Sequence, residues 1–341
     1  MPKDTVKTSD PLSTPSGGDQ ESATFAPLIA ATALMYGRRE GRNMYQQRKL
    51  VLNRYEVFGQ VGCGGQGELY RGRDTETGRQ VAVKLQKARL FEPAHSYQEA
   101  GEEFEAEADM TQMLTGVDGI PKVLGKGIVG GGRRCIVLEF IDGVPFYDAM
   151  LSRRPLRVST AASVIGQLCE ILHRVHERKL VHRDIKPENV ILDPSGRVWL
   201  IDMGLALPHG VPTDRGSGTP GYVPPDEYDG CPDGVTPLSD IFALGCMLLE
   251  MTVMQLPYAG MAERPAPDCP VLPPDRMLRV PPEFRSLALS MVDRARQNRP
   301  QGVTEVFDQL RPLLPALGSK PPAKPLRPDP TEYYRTRRPT L

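Results

Sequence analysis

None of the six cysteines lies in a C-x-x-C spacing: Cys63, Cys135, Cys169, Cys231, Cys246 and Cys269 are scattered along the chain. That scatter argues against a zinc ribbon and against a disulfide framework, so a reducing, cytoplasmic setting is expected. Neither sign of charge is in excess, with Lys plus Arg and Asp plus Glu at 42 each in 341 residues. No global field therefore draws the chain to nucleic acid or an anionic membrane, and charged partners have to be recognised locally. No apolar run reaches the roughly 18 to 20 residues of a membrane span, and no basic stretch precedes an apolar one at the start. Neither a transmembrane segment nor a secretory leader is expected. Tryptophan occurs once, at Trp199, where a packing role in the core or between lobes is more natural than a ligand platform.

The length is enough for two lobes with a sizeable core. Residues 1 to about 24 are polar and turn-rich and are expected to be disordered. An apolar stretch, Phe25 to Tyr36, and a basic one, Arg38 to Lys49, complete an N-terminal extension to residue 52 that is expected to be partly disordered. Pro27, Gly37 and Gly41 interrupt any amphipathic pattern, which favours a packed or partly ordered leader over a membrane-surface helix. From Tyr55 the pattern is of strands: Tyr55 to Val61, Glu68 to Arg73 and Gln80 to Leu85, with a glycine-rich turn from Gly62 to Gly67. A helix is expected over Ser96 to Leu114, and two more strands over 121–127 and 134–140. Helical periodicity takes over from Pro155, with Ser159 as an N-cap before Val164, Ile165, Leu168, Ile171, Leu172 and Val175. A second apolar helix follows Ser239-Asp240, read as its cap. The residues from 318 to 341 are proline-rich with a basic excess and are expected to form a disordered tail.

The chemistry concentrates between Leu180 and Ala206. Asp184 and Asp202 each stand at the edge of an apolar run, with Lys186 and Asn189 between them. A phosphoryl donor bound to magnesium needs hard oxygen ligands for the ion, a cation for the transferring group and an acceptor for the proton of the attacking hydroxyl. Asn189 and Asp202 can supply the first, Lys186 the second and Asp184 the third. His173 and His176 are three apart with no further ligand nearby, so a metal pair there is not expected.

His182-Arg183-Asp184 with Asn189, followed by Asp202-Met203-Gly204, resembles the catalytic and metal-binding loops of eukaryotic-type (Hanks-type) protein kinases, which also occur in bacteria. Lys186 resembles the serine/threonine branch. The resemblance covers about residues 53 to 312. It implies an α+β bilobal fold: a small lobe (about 53–140) with a five-stranded antiparallel sheet and one helix, and a larger, mainly helical lobe (about 141–317). In this setting the turn between strands resembles a nucleotide-covering loop, with Val61, Gly62, Cys63, Gly64, Gly65, Gln66, Gly67, Leu69, Ala82, Glu139 and Ile141 as the implied ATP-binding residues. Lys84 in Val-Ala-Val-Lys would hold the α- and β-phosphates, and Glu107 is the implied partner, with Glu103 or Glu105 if the helix register slips. Leu138 falls at the gatekeeper position.

The resemblance implies a mobile activation loop over 207–217 with Thr213 and Ser217 as activating phosphosites, read by Arg183. Thr219 is implied to touch Asp184 and Lys186. Asp240 is implied to brace the catalytic loop, and His182 to pack within it. Met203 for phenylalanine and Asp226 for glutamate are departures that affect packing and bracing. They leave open whether Asp226 or Glu227 pairs with Arg299. The implied activity is transfer of the γ-phosphate of ATP to Ser/Thr hydroxyls of proteins, with Mg2+ or alternatively Mn2+. Self-association for trans-autophosphorylation accompanies it, and no nucleic-acid partner. The competing classes are a pseudokinase acting as a binding module and a small-molecule kinase. Lys84, Asp184, Asn189 and Asp202 are all present, which speaks against the first; Lys186 and the segment Thr219 to Pro225 speak against the second.

Overall fold

β-Branched residues in Gln80-Val81-Ala82-Val83-Lys84-Leu85 suit a strand covered on both faces, and this segment is the interior of a six-stranded antiparallel sheet. In the computed structural model, which describes residues 49–63, 67–87, 94–152, 155–214, 216–260 and 265–341, the sheet comprises β1 (Lys49–Val51), β2 (Tyr55–Cys63), β3 (Gly67–Asp74), β4 (Gln80–Gln86), β5 (Val123–Val129) and β6 (Arg133–Glu139). Their order is β1-β2-β3-β4-β6-β5, and α1 (Ala94–Met113) lies between β4 and β5 in the chain. The apolar stretch at 25–36 and three glycine-loop residues, Gly64, Gly65 and Gln66, fall outside the described residues.

The sheet has one strand more than expected, and the fold begins before residue 53. Leu52 and Asn53 take left-handed φ values of 52° and 56°. That turn folds β1 back onto β2, where Val51 is buried with Tyr55, Val81 and Val83. The Leu52 side chain reaches Gly127 on β5, where an added Cβ would come within 2.8 Å of it, and the Tyr55 hydroxyl donates to the Leu124 carbonyl at 2.9 Å. The sheet therefore curls until its first strands meet its last.

The large lobe starts with β7 (Val144–Pro145), α2 (Phe146–Leu151) and α3 (Val158–Glu177). Short strands β8 (Leu180–Val181), β9 (Val190–Leu192), β10 (Val198–Leu200) and β11 (Leu207–Pro208) carry the loops of interest. They pair as β10-β9-β7 and β11-β8. α4 (Leu238–Val253), α5 (Pro274–Met277), α6 (Pro282–Met291), α7 (Val303–Leu310) and α8 (Thr331–Thr336) follow. α4 is apolar on all sides and correspondingly buried, with Ile241, Phe242, Leu244, Met247, Leu248 and Leu249 at 0% exposure. Truncating one of these leucines to alanine should cost about 2 to 5 kcal/mol through lost burial and a residual cavity. Among the described residues, no helix is long and apolar enough to cross a membrane.

Two capping expectations fail. Ser159 lies inside α3 and its carbonyl accepts the Ser163 hydroxyl; the N-cap is Arg157, with no side-chain cap bond. Pro237 caps α4 without a side-chain bond, and Ser239 and Asp240 are drawn away to other partners.

The tail expected to be disordered packs instead on the large lobe. Tyr334 is 1% exposed and stacks obliquely on Phe307, and Leu326 and Thr331 are buried. Tyr333 donates its hydroxyl to Glu170 of α3, and the Gln167 amide bridges the Gly196 and Pro330 carbonyls at 3.1 and 3.2 Å. A few large anchors in a trough beside α3 outweigh the polar composition that suggests disorder.

Candidate active site

The segment joining β8 to β9 is held from below by Asp240. This carboxylate, wholly buried in the first turn of α4, accepts the amides of His182 at 3.0 Å and Arg183 at 2.8 Å, and meets the His176 ring at 2.8 Å. Burial works against its charge, but these donors hold its carboxyl below the usual carboxylate range. Arg183 is thereby fixed at φ 67°, a conformation that costs a non-glycine residue about 1 to 3 kcal/mol. His182 is buried and packs as expected. Its Nδ1 accepts the Asp184 amide at 3.2 Å, and burial pushes its pKa down.

This brace presents Asp184. Its Oδ2 accepts Lys186 Nζ and Asn189 Nδ2, both at 2.8 Å, and its Oδ1 accepts the Thr219 hydroxyl at 2.7 Å. Lys186 also donates to Thr219 Oγ1 at 2.6 Å. The sequence-predicted group Asp184, Lys186, Asn189 and Thr219 thus converges on one carboxylate. Asn189 spends its amide hydrogens on the Asp184 carboxylate and carbonyl, so its own oxygen is the atom left to face a cation.

Opposite them, Lys84 of β4 meets both Glu107 oxygens at 2.6 Å, and Asp202 Oδ1 at 3.3 Å. The helix register that selects Glu107 is the one in the structure; Glu105 instead pairs with Arg134. Burial pushes the Glu107 carboxyl up to about 7 against the pull of Lys84. Burial opposes the Lys84 charge too, yet Asp202 and Glu107 hold the ammonium above its usual value. Asp202 has φ 67°, and its Oδ1 accepts the Gly204 amide at 3.2 Å. Lys84 and the Gly204 amide keep its carboxyl below the usual carboxylate range. Met203 is 2% exposed and packs with the large-lobe core, filling an apolar site. Among the described residues no cluster of three or more His, Cys, Asp or Glu could hold a metal by itself. Asn189 and Asp202 nevertheless form the kind of hard-oxygen pair that suits a divalent ion already carried by phosphates.

Leu69 and Ala82 are buried on adjacent strands, Leu69 paired with Lys84 and Ala82 with Leu138. Val61, Gly62 and Cys63 end β2. Gly67 has a structural reason to be glycine: an added Cβ would lie 2.7 Å from the Leu85 carbonyl oxygen. Glu139 ends β6, its amide bonded to the Lys122 carbonyl at 2.8 Å. Ile141 forms an apolar cluster with Ile191, Ile201 and the half-buried Trp199. Ile191 and Ile201 join Ile141 without being singled out in the sequence, because each looks like ordinary strand core. Their positions, two after Asn189 and one before Asp202, were the available signal.

Downstream, Asp226 takes the position left open. Its Oδ1 pairs with Arg299 and its Oδ2 with Arg296 at 3.2 Å, whereas Glu227 accepts the Ser239 hydroxyl. The described residues of the 207–217 loop are tied to residues 228–235 by backbone bonds. Gly210 N bonds Val235 O at 2.9 Å, Val235 N bonds Val211 O at 3.0 Å, Thr213 and Cys231 exchange backbone bonds, and Gly216 N bonds Tyr228 O at 3.2 Å. The Thr213 hydroxyl also accepts the Cys231 amide at 3.1 Å. Arg183 is 9% exposed, and its Nε and Nη2 have no hydrogen-bond partner among the described residues.

A family model described as "Protein kinase domain" matches residues 55–309. The chain is 30% identical over 296 residues to the serine/threonine-protein kinase pkn2 of Myxococcus xanthus, covering 80% of this chain and 34% of that protein. It is 28% identical over 271 residues to the serine/threonine-protein kinase PknB of Mycolicibacterium smegmatis, covering 74% and 42%. To PknB of Mycobacterium tuberculosis it is 27% identical over 290 residues, covering 80% and 44%. The match spans less than half the length of each of these relatives.

Proposed function

The chain belongs to the protein kinase domain family, and on that premise we propose that it transfers the γ-phosphate of ATP to serine and threonine hydroxyls of proteins. The observation that carries the reading is that the Lys84–Glu107 pair and the Asp184–Lys186–Thr219 group are formed together, with Asp202 reaching Lys84 at 3.3 Å. Family membership implies ATP and a divalent cation; Mg2+ is the ion proposed, with Mn2+ the alternative. The bound ion supplies charge neutralisation at the phosphates.

Each residue then has a physical task. Lys84, steered by Glu107, positions the α- and β-phosphates. Ile141, Ile191 and Ile201 offer an apolar floor to the adenine, and the backbone from Glu139 to Ile141 its polar edge. Asp202 and the Asn189 oxygen are the hard ligands. Asp184 orients the acceptor hydroxyl and takes its proton, while Lys186 faces the negative charge of the group in transit. Thr219 joins these two, which supports a serine or threonine acceptor held against the adjoining Gly218 to Pro225 segment.

Arg183 supports a regulatory role. A buried guanidinium with unpartnered donors suits an anion, and a loop phosphate would supply one. Of the two expected sites, Thr213 spends its hydroxyl on Cys231, so Ser217 is the better candidate. Self-association for modification between copies, and a cytoplasmic location, belong to the same proposal. The test is transfer of radiolabelled phosphate from ATP to a generic basic protein by wild type and by Asp184→Ala. Phosphate on serine or threonine from wild type alone is the expected result. ATP binding without transfer would favour a binding module.

A further inference from the structure

The β9–β10 turn is covered by the docked C-terminal segment. Gly196 of this turn has φ 76°, and an added Cβ there would lie 2.0 Å from the Asp329 carbonyl oxygen and 3.3 Å from Glu332 Cβ. One buried side chain fastens both partners. The Gln167 amide nitrogen donates to the Gly196 and Pro330 carbonyls, while its Oε1 accepts the Val198 amide at 2.9 Å. Residues 326–341 therefore close the turn from outside, and Gln167 loses an acceptor when they leave. The anchors of the segment lie elsewhere, Tyr334 against Phe307 and Leu326 in the core, so it can be released by changes that do not touch the turn.

The same turn holds the only tryptophan. Asp193 Oδ1 accepts the Ser195 amide at 2.8 Å and the Arg197 amide at 3.2 Å, and its Oδ2 accepts Trp199 Nε1 at 3.0 Å. The Arg197 guanidinium lies 4.5 Å from the centre of the Trp199 ring and pairs with Asp118. Arg197 lines, with Tyr333 and Thr340, a cleft of about 180 Å3. Trp199 is paired with Ile191 across the hairpin and packs on the cluster of Ile141, Ile191 and Ile201. Ile201 immediately precedes Asp202, and Ile141 ends the backbone segment proposed to bond adenine.

We infer that residues 326–341, docked by Tyr334 and Leu326, are a positioning element for the nucleotide: seated over Gly196, they hold the β9–β10 turn and so fix Trp199 against the apolar floor of Ile141, Ile191 and Ile201. Trp199 is the positioning residue in this relay and acts through the isoleucines. The inference rests on the kinase reading above, and adds that affinity for ATP depends on a segment beyond the family match. Adenine does not change during phosphoryl transfer, so the floor binds ground state and transition state alike. Loosening it removes uniform binding, which raises KM for ATP and spares kcat. A disturbance at Asp184 would instead lower kcat.

The experiment uses the full-length chain as wild type, Tyr334→Ala and Trp199→Phe, the two changes also combined, with Leu326→Ala in reserve should Tyr334→Ala not fold. Leu287→Ala, a buried truncation in α6, controls for general destabilisation. Calorimetry measures binding of the β,γ-imido analogue of ATP with Mg2+, a generic basic protein serves for turnover, and hydrogen exchange reports release of the segment. Tyr334→Ala should raise exchange in residues 326–341, shift the Trp199 emission, and raise KM for ATP roughly three- to thirtyfold with kcat little changed. Leu287→Ala should leave KM as in wild type, and Tyr334→Ala should add little to KM in the Trp199→Phe background. A released segment with unchanged KM, a rise in KM shared by Leu287→Ala, or a loss confined to kcat overturns this inference and leaves the kinase reading standing. So does a segment that stays protected in both anchor variants, since its hold on the turn would not depend on Tyr334 and Leu326. Wild type that neither binds the analogue nor transfers phosphate overturns both.

Discussion

Asp226 divides its carboxylate between two arginines, one oxygen on Arg299, whose side chain is fully buried, and the other on Arg296. Removing the acid strands a buried guanidinium. Asp226→Ala should therefore lower stability by about 3 to 5 kcal/mol, as breaking a buried pair from one side does. Glu227→Gln keeps an acceptor for Ser239 and should cost less than about 1 kcal/mol. Denaturant unfolding of the two variants decides; similar losses would mean that the bracing is shared between both acids.

Asp202→Asn should reduce transfer by about a thousandfold or more while leaving the melting temperature unchanged. Asparagine tolerates the left-handed backbone that Asp202 adopts, so the fold has no reason to respond. What is lost is the negative charge facing metal and phosphate. Turnover measured beside a thermal melt checks this, and a variant keeping a tenth of wild-type turnover would remove Asp202 from the metal-ligand role.

Glu107 ties activity to pH. Its carboxyl is raised from an ordinary 4.5 to about 7, so between those values the native state holds a proton the unfolded chain releases. Its contribution to stability is complete below the unfolded value and is lost as pH rises through about 7. Activity runs the other way: ionisation is what gives Lys84 its partner. Turnover should climb from about pH 6 to about pH 8, and Glu107→Gln should flatten that climb and lower the plateau. A profile of the same shape in both proteins would assign the titration to another group.

Phosphatase treatment should lower the turnover of protein purified after exposure to ATP, and Ser217→Ala should reproduce the loss while Thr213→Ala does not. Arg183→Ala should make phosphatase treatment inconsequential. Mass spectrometry of residues 207–219 checks occupancy. Full activity of unphosphorylated chain would mean that the backbone bonds to residues 228–235 suffice to order the loop.

The candidate catalytic groups were legible because Asp184, Lys186 and Asn189 sit within one short loop, whose residue types and spacing carry the resemblance. Glu107 was legible only through the resemblance, which implies a helix glutamate for the strand lysine; the spacing of Phe104 and Ala108 placed the helix but left Glu103 and Glu105 open. Partners distant in sequence were not. Nothing in Thr213 announces Cys231, because residues 228–235 have neither strand alternation nor helical period. Asp226 and Glu227 are adjacent acids, and only the 3-10 turn at Pro225–Glu227 decides which one faces Arg299. The tail was misread for a related reason: its few anchors, Leu326, Tyr333 and Tyr334, are too sparse to show a period, and their receiving surface lies on α3.

The docking of residues 326–341 also sets where the cooperative folding unit ends. The family match stops at residue 309, yet Gly166 and Gly196 are shaped by what comes later: an added Cβ would lie 2.8 Å from the Tyr334 hydroxyl at the first and 2.0 Å from the Asp329 carbonyl oxygen at the second. A chain cut at the family boundary would leave α3 and α7 with an apolar trough open to water where Tyr334 now sits against Phe307. Such a fragment should melt earlier and self-associate on concentration, while a separately added peptide of residues 318–341 should bind it and restore solubility.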